Sequence, residues 1–160
     1  MDIKELKPTS IWHYFDAITG VPRPSKKEER IREFLLNFAK EQNLEVKVDK
    51  TGNVVITKEA TPGCEGAPTV ILQAHMDMVC EKNGDVKHDF ERDPIETYID
   101  GEWVKARGTT LGADNGIGMA AAMAVLVDKE LKHGRIQALF TVDEETGLTG
   151  AFGLESGMID

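Results

Sequence analysis

Thr69-Val70-Ile71-Leu72-Gln73-Ala74-His75-Met76-Asp77 decides the fold. Thr69 to Gln73 is a β-rich run without polar alternation, and such a run predicts a central strand covered on both faces. An imidazole follows at once. Ligands of open α/β sheets gather beyond the carboxyl ends of strands, so His75 stands where a site belongs. Asp77, two residues on, can accept the free ring N–H of a ligating histidine and fix its tautomer. The plainer alternative is a histidine and an aspartate satisfied locally in a loop.

Two further strings repeat this placement. Arg135 to Val142 is a second apolar strand, and it runs directly into Asp143-Glu144-Glu145-Thr146-Gly147. Adjacent carboxylates on extended or turning backbone point in different directions. One can hold a metal while its neighbour reaches a water; a charged loop at a strand end is the plainer reading. Between the two strands lies Thr110-Leu111-Gly112-Ala113-Asp114-Asn115-Gly116, with Asp114 opening an alanine- and methionine-rich helix predicted to reach Leu131. Asp114 suits a helix cap. Yet Gly112, Gly116 and Gly118 crowd the same turn, which implies unusual backbone or a close approach to it. Together the three strings offer an imidazole and several carboxylates at one end of a sheet, the donor set of a hydrolytic zinc site with a carboxylate left over as base.

The remaining sequence frames this core. Thr9 or Ser10 can cap a first helix to about Thr19, with Ile11, Phe15 and Ile18 on one face. Two prolines in Val21-Pro22-Arg23-Pro24 interrupt it. Ser25 and Glu28 have the spacing of a capping box for a second helix that carries Ile31, Phe34, Leu35 and Phe38 and ends near Asn43. Leu44 to Asp49 and Val54 to Thr57 read as a hairpin across Thr51-Gly52-Asn53, and Tyr98 to Arg107 as another turning at Asp100-Gly101. Leu148 to Leu154 reads as a short helix. Two helices, a hairpin and a strand–helix–strand unit predict an α/β fold, a mixed-sheet α/β/α sandwich.

The 160 residues suit one domain, with 41% apolar and 29% charged residues. The formal charge of −9 disfavours nucleic acid as a partner. Cys64 and Cys80 are too far apart for a C-x-x-C pair and too few for a disulfide framework, so free thiols are expected. Met1 to Lys7 lacks the apolar core of a secretory signal, and no run has the length of a membrane span. A cytoplasmic location and no membrane partner are expected. Gly116-Ile117-Gly118-Met119-Ala120-Ala121 matches G-x-G-x-x-A, but a preceding exposed hairpin and Asp114 both argue against a dinucleotide.

The strings resemble the aminoacylase/carboxypeptidase-type dinuclear zinc peptidases, and within them the aminoacyl-histidine dipeptidases. The resemblance runs through Leu6-Lys7-Pro8, Ile11 to Phe15, Ile18-Thr19-Gly20-Val21-Pro22-Arg23-Pro24-Ser25, Gln73 to Cys80, Thr110 to Gly116 and Asp143 to Gly147. It implies metal-dependent hydrolysis of dipeptides, Xaa-His and other unblocked ones. His75 would bind a first zinc, Asp114 would bridge both ions, with the Asp114–Asn115 peptide in the cis form, and Glu145 would bind the second. Glu144 would be the general base and Asp77 would orient His75. Two Zn2+ ions are implied, with Mn2+ or Co2+ accepting similar ligands.

The family also takes a further acidic ligand and a histidine from later sequence, and inserts a domain for dimerisation and closure. None of the remaining histidines, His13, His88 and His133, has a partner string. Residues 1–160 are therefore expected to be the N-terminal part of a catalytic domain, inactive alone, whose full-length parent is a homodimer. The alternative is a fold unit without catalysis that lacks two metal ligands.

Overall fold

The structure, a computed structural model, describes residues 2–160, so Met1 and its part in the signal argument lie outside it. After a 3-10 turn at Ile3–Glu5, the described elements are α1 (Thr9–Thr19), α2 (Glu29–Glu41), β1 (Glu45–Val48), β2 (Val54–Lys58), β3 (Val70–His75), β4 (Thr97–Asp100), β5 (Trp103–Ala106), α3 (Ala113–Val127), β6 (Ile136–Thr141) and α4 (Thr149–Phe152). The main sheet has the order β1-β2-β6-β3. The β1–β2 and β2–β6 pairs are antiparallel and β3 runs parallel to β6, which is the mixed sheet expected.

Of the apolar positions expected on α2, Ile31, Leu35 and Phe38 are buried and Phe34 packs half-buried against the core. The helix stops in a Schellman arrangement, with Asn43 at φ +54, its amide donating to Lys40 O and the Leu44 amide to Ala39 O. Both hairpins form with the expected turns. Asp49 Oδ1 accepts the Gly52 and Asn53 amides in the first, and Gly101 takes φ +61 in the second.

Phe15 and Ile18 of α1, α2, and Met119 and Met123 of α3 share one core with Val54, Ile56, Ala74, Ala138 and Phe140. On the opposite face Val55 and Leu139 meet Leu154, Met158 and Ile159. β2 and β6 are the interior strands of the sheet, and all six residues of β6 are buried.

Four expectations change. β3 is an edge strand, with Val70 50% and Ile71 38% exposed. An unbroken apolar run does not encode lateral position in a sheet, and only the His75 end of β3 is buried. Neither Thr9 nor Ser10 caps α1; its N-cap is Pro8, without a side-chain bond. Ser25 and Glu28 form no capping box, because their side chains are used elsewhere. Finally α3 ends at Val127, short of the expected Leu131.

Candidate metal centre

β3 and β6 are in parallel register with His75 opposite Thr141, and the Met76 amide donates to Thr141 O at 2.7 Å. The two strands therefore deliver His75 and the Asp143–Gly147 turn to the same edge. The ring Nδ1 of His75 lies 3.0 Å from the Asp77 carbonyl oxygen and 3.3 Å from Asp77 Oδ1. A carbonyl only accepts, so Nδ1 carries a proton and Nε2 is the atom offered to the site. Nε2 is 3.0 Å from Asp114 Oδ1 and 3.8 Å from Glu144 Oε2. Burial disfavours the charged ring, but the hydrogen bonds to Asp77 and Asp114 and the charge of Asp77 outweigh it and raise His75 to about 9.

Asp77 is fully buried and does more than orient an imidazole. Oδ1 accepts the Glu144 amide at 3.0 Å; Oδ2 accepts the Glu145 amide at 3.2 Å and the Ser25 hydroxyl at 2.7 Å. Burial opposes its charge, yet His75 and these donors hold its carboxyl well below the usual range. One carboxylate thus fixes the imidazole and the backbone of both glutamates.

Asp114 sits in the first turn of α3, where Gly112 takes φ +74, Asp114 and Asn115 leave helical geometry, and their peptide is cis. The Asp114 side chain is 85% exposed and faces the His75 ring. Glu145 is pushed up by burial and by the charges of Asp114, Glu144 and Asp77, with His75 opposing. His75, Asp114 and Glu145 each offer a ligand atom, all within 4.8 Å of one another. Carboxylates gathered this closely around a neutralisable imidazole are a donor set a divalent cation fits, since bonds of about 2.0–2.2 Å draw such atoms together. A cleft of about 420 Å3 opens beside them, polar at Gln73, Thr141 and Asn115 and apolar at Leu139, Leu148 and Leu154.

A second acidic trio, Glu28, Asp77 and Asp143, is wholly buried. Its oxygens are occupied by protein donors: Glu28 Oε1 accepts the Lys26 and Asp143 amides, and Asp143 accepts the Thr146 and Thr149 hydroxyls. It shapes the turn that carries Glu144 and Glu145. Sequence reasoning gave Asp77 only the task of orienting His75 and Glu28 only a helix cap, and missed that both, with Asp143, support this turn.

Among the described residues, His13, His88 and His133 join neither group. The G-x-G glycines serve close packing: a Cβ at Gly116 would lie 2.7 Å from Arg23 Nη2 and 3.2 Å from Phe15. Cys64 and Cys80 are free. No described helix is long and apolar enough to cross a membrane.

Comparison with known proteins identifies the family and the fold. The chain is 51% identical over 158 residues to the cytosol non-specific dipeptidase of Escherichia coli (strain K12), which covers 99% of this chain and 33% of that protein. The crystal structure of aminoacylhistidine dipeptidase from Vibrio alginolyticus superposes with TM-score 0.97 at 56% identity, over 100% of this chain and 33% of that one. A tripeptidase from Staphylococcus aureus superposes with TM-score 0.79 at 27% identity, over 97% and 42%. The chain thus spans about a third of the length of its two dipeptidase relatives. The profile of Peptidase family M20/M25/M40 matches residues 71–160, which hold all three acidic strings, and the chain belongs to that family.

Proposed function

We propose that this chain supplies most of the metal- and proton-handling residues of a metal-dependent dipeptidase acting on Xaa-His and other unblocked dipeptides. The observation that carries the reading is the convergence of His75, Asp114 and Glu145 within 4.8 Å, with Glu144 beside them. The E. coli and V. alginolyticus relatives, named as dipeptidases, support the substrate class.

In this reading His75 Nε2 and Asp114 would hold a first Zn2+, and Asp114 and Glu145 would be the chain's share of the ligands for a second. Mn2+ or Co2+ would suit the same donors. Divalent cations held there lower the pKa of a water and polarise a peptide carbonyl. Glu144, with a side chain 35% exposed to the cleft, accepts the proton of the attacking water and returns it to the leaving amine as the C–N bond breaks. Asp77 keeps Nδ1 protonated and Nε2 free. The apolar wall at Leu139, Leu148 and Leu154 gives a substrate side chain a dry surface. The whole protein is read as a cytoplasmic homodimer in which residues 1–160 are the N-terminal part of the catalytic domain.

The test is kinetic and spectroscopic on the full-length protein. Glu144→Ala should abolish dipeptide turnover with metal content kept, and Glu145→Ala should lower occupancy of one ion. Near-normal turnover in Glu144→Ala would remove the base assignment.

A further inference from the structure

We propose that Arg23 is the positioning residue that holds the His75 loop and the Asp114 turn at metal-binding distance from each other; the inference rests on the metal-centre reading above. Arg23 lies between Pro22 and Pro24, outside all three acidic strings, and is 2% exposed. Its Nη1 donates to Met76 O at 3.0 Å and Asp77 O at 3.2 Å, and its Nη2 donates to Gly112 O at 2.5 Å. One planar fork therefore spans from the segment after β3 to the residue that precedes α3.

Between residues 75–77 and 112–115, the hydrogen bonds among the described residues are these arms of Arg23 and the His75–Asp114 contact itself. The end of β3 and α3 already pack on each other through Ala74, Met76, Met119 and Met123, and the fork adds the directional bonds that fix where the His75 loop and the Asp114 turn stand within that packing. The Asp77 carbonyl also receives Nδ1 of His75, so the guanidinium and the imidazole share one acceptor, and Arg23 holds the oxygen to which the ring is bonded.

The surroundings are cut to fit a guanidinium. A Cβ on Gly112 would lie 2.5 Å from Nη2 and one on Gly116 2.7 Å from it, so both glycines leave space for this group. The Arg23 carbonyl in turn accepts the Met78 amide at 3.1 Å, and Pro24 bridges to Met78, which anchors the segment that carries the fork. No carboxylate lies within ion-pair distance of Arg23 among the described residues, although burial of an unpaired guanidinium is costly. A residue needed only to fill volume would be apolar. A lysine, with a compact ammonium, lacks the fork to reach both sides.

The test uses Co2+ titration of the metal-free chain by visible absorption, thermal melting, and amide exchange. Arg23→Met and Arg23→Lys should each weaken Co2+ binding roughly 10–100-fold, as loss of supporting partners does at metal sites. Leu35→Ala, a fully buried change on α2, should lower the melting temperature without changing Co2+ affinity. Binding within threefold of wild type in a folded Arg23→Met, or an equal loss in Leu35→Ala, overturns the proposal. Should Arg23→Met not fold, Gly116→Ala displaces Nη2 without removing a donor, and the same two outcomes decide.

If the wild-type chain, which holds only part of the ligand set, takes up no Co2+, the metal reading is decided by the full-length variants above and Arg23 is judged without metal. Its replacement should then speed exchange of the Gly116, Glu144 and Glu145 amides at least tenfold more than that of β2 amides. A uniform rise overturns it.

Discussion

Asp77→Asn keeps the volume of a fully buried side chain and removes its charge and one acceptor oxygen. The carboxylate accepts from the Glu144 amide, the Glu145 amide and the Ser25 hydroxyl, and lies 3.3 Å from His75 Nδ1. An amide oxygen can serve one side of this set; the NH2 group on the other side meets N–H or O–H donors. Hydrogen bonds to charged groups contribute about 1.5–3 kcal/mol each, and a buried donor left unsatisfied costs about 1–3 kcal/mol. The metal-free protein should therefore lose on the order of 4 kcal/mol near neutral pH.

Part of that loss depends on pH. The folded pKa of His75, about 9, exceeds its ordinary 6.5, so its protonation stabilises the fold fully below pH 6.5 and the gain disappears as pH rises through 9. The difference corresponds to roughly 3 kcal/mol. The Asp114 carboxylate is 85% exposed, and solvent screens its share. The buried Asp77 then supplies the larger part of the gain, and the Asp77→Asn penalty should shrink between pH 6.5 and about pH 10. Urea denaturation followed by tryptophan fluorescence measures both quantities. A penalty under about 1 kcal/mol at the lower pH, or one that grows as pH rises, would refute the reasoning.

Two further outcomes follow from the same structure. Asn53 is fully buried and donates to Asp49 Oδ2 and Gly150 O while accepting the Val142 amide, so Asn53→Ala should cost about 3 kcal/mol in denaturant unfolding; an effect near zero would mean that the β1–β2 turn and α4 are not tied together there. Metal uptake must displace the proton held on His75, so Co2+ affinity should climb by up to about tenfold per pH unit below pH 9 and level off above it. A flat profile in a calorimetric series would exclude His75 as a ligand.

Much of the fold was legible because its signals are local. The helical spacing of Ile31, Leu35 and Phe38, the turn residues Gly52 and Gly101, and the alanine-rich run after Asp114 each act within a few neighbours. The placement of β3 was not legible. Its residues are as apolar as those of β6, and whether a strand has one lateral partner or two depends on pairing with segments distant in sequence. Ser25 and Glu28 misled for a related reason: the spacing that caps a helix also fits a segment whose side chains reach Asp77 and the Asp143 amide, 52 and 115 residues away.

By itself the sequence determined which groups are available: an imidazole at the end of one strand, two glutamates at the end of another, and an aspartate in a glycine-rich turn. Residue types and strand ends are one-dimensional information. Only the tertiary structure decided how those groups are held. The parallel register of β3 on β6 brings His75 level with Thr141, the Asp77 carboxylate takes hold of both glutamate amides, and the Arg23 fork closes the gap to Gly112. These bonds join residues far apart along the chain, and their geometry exists only once the core has brought the strand ends and the start of α3 together.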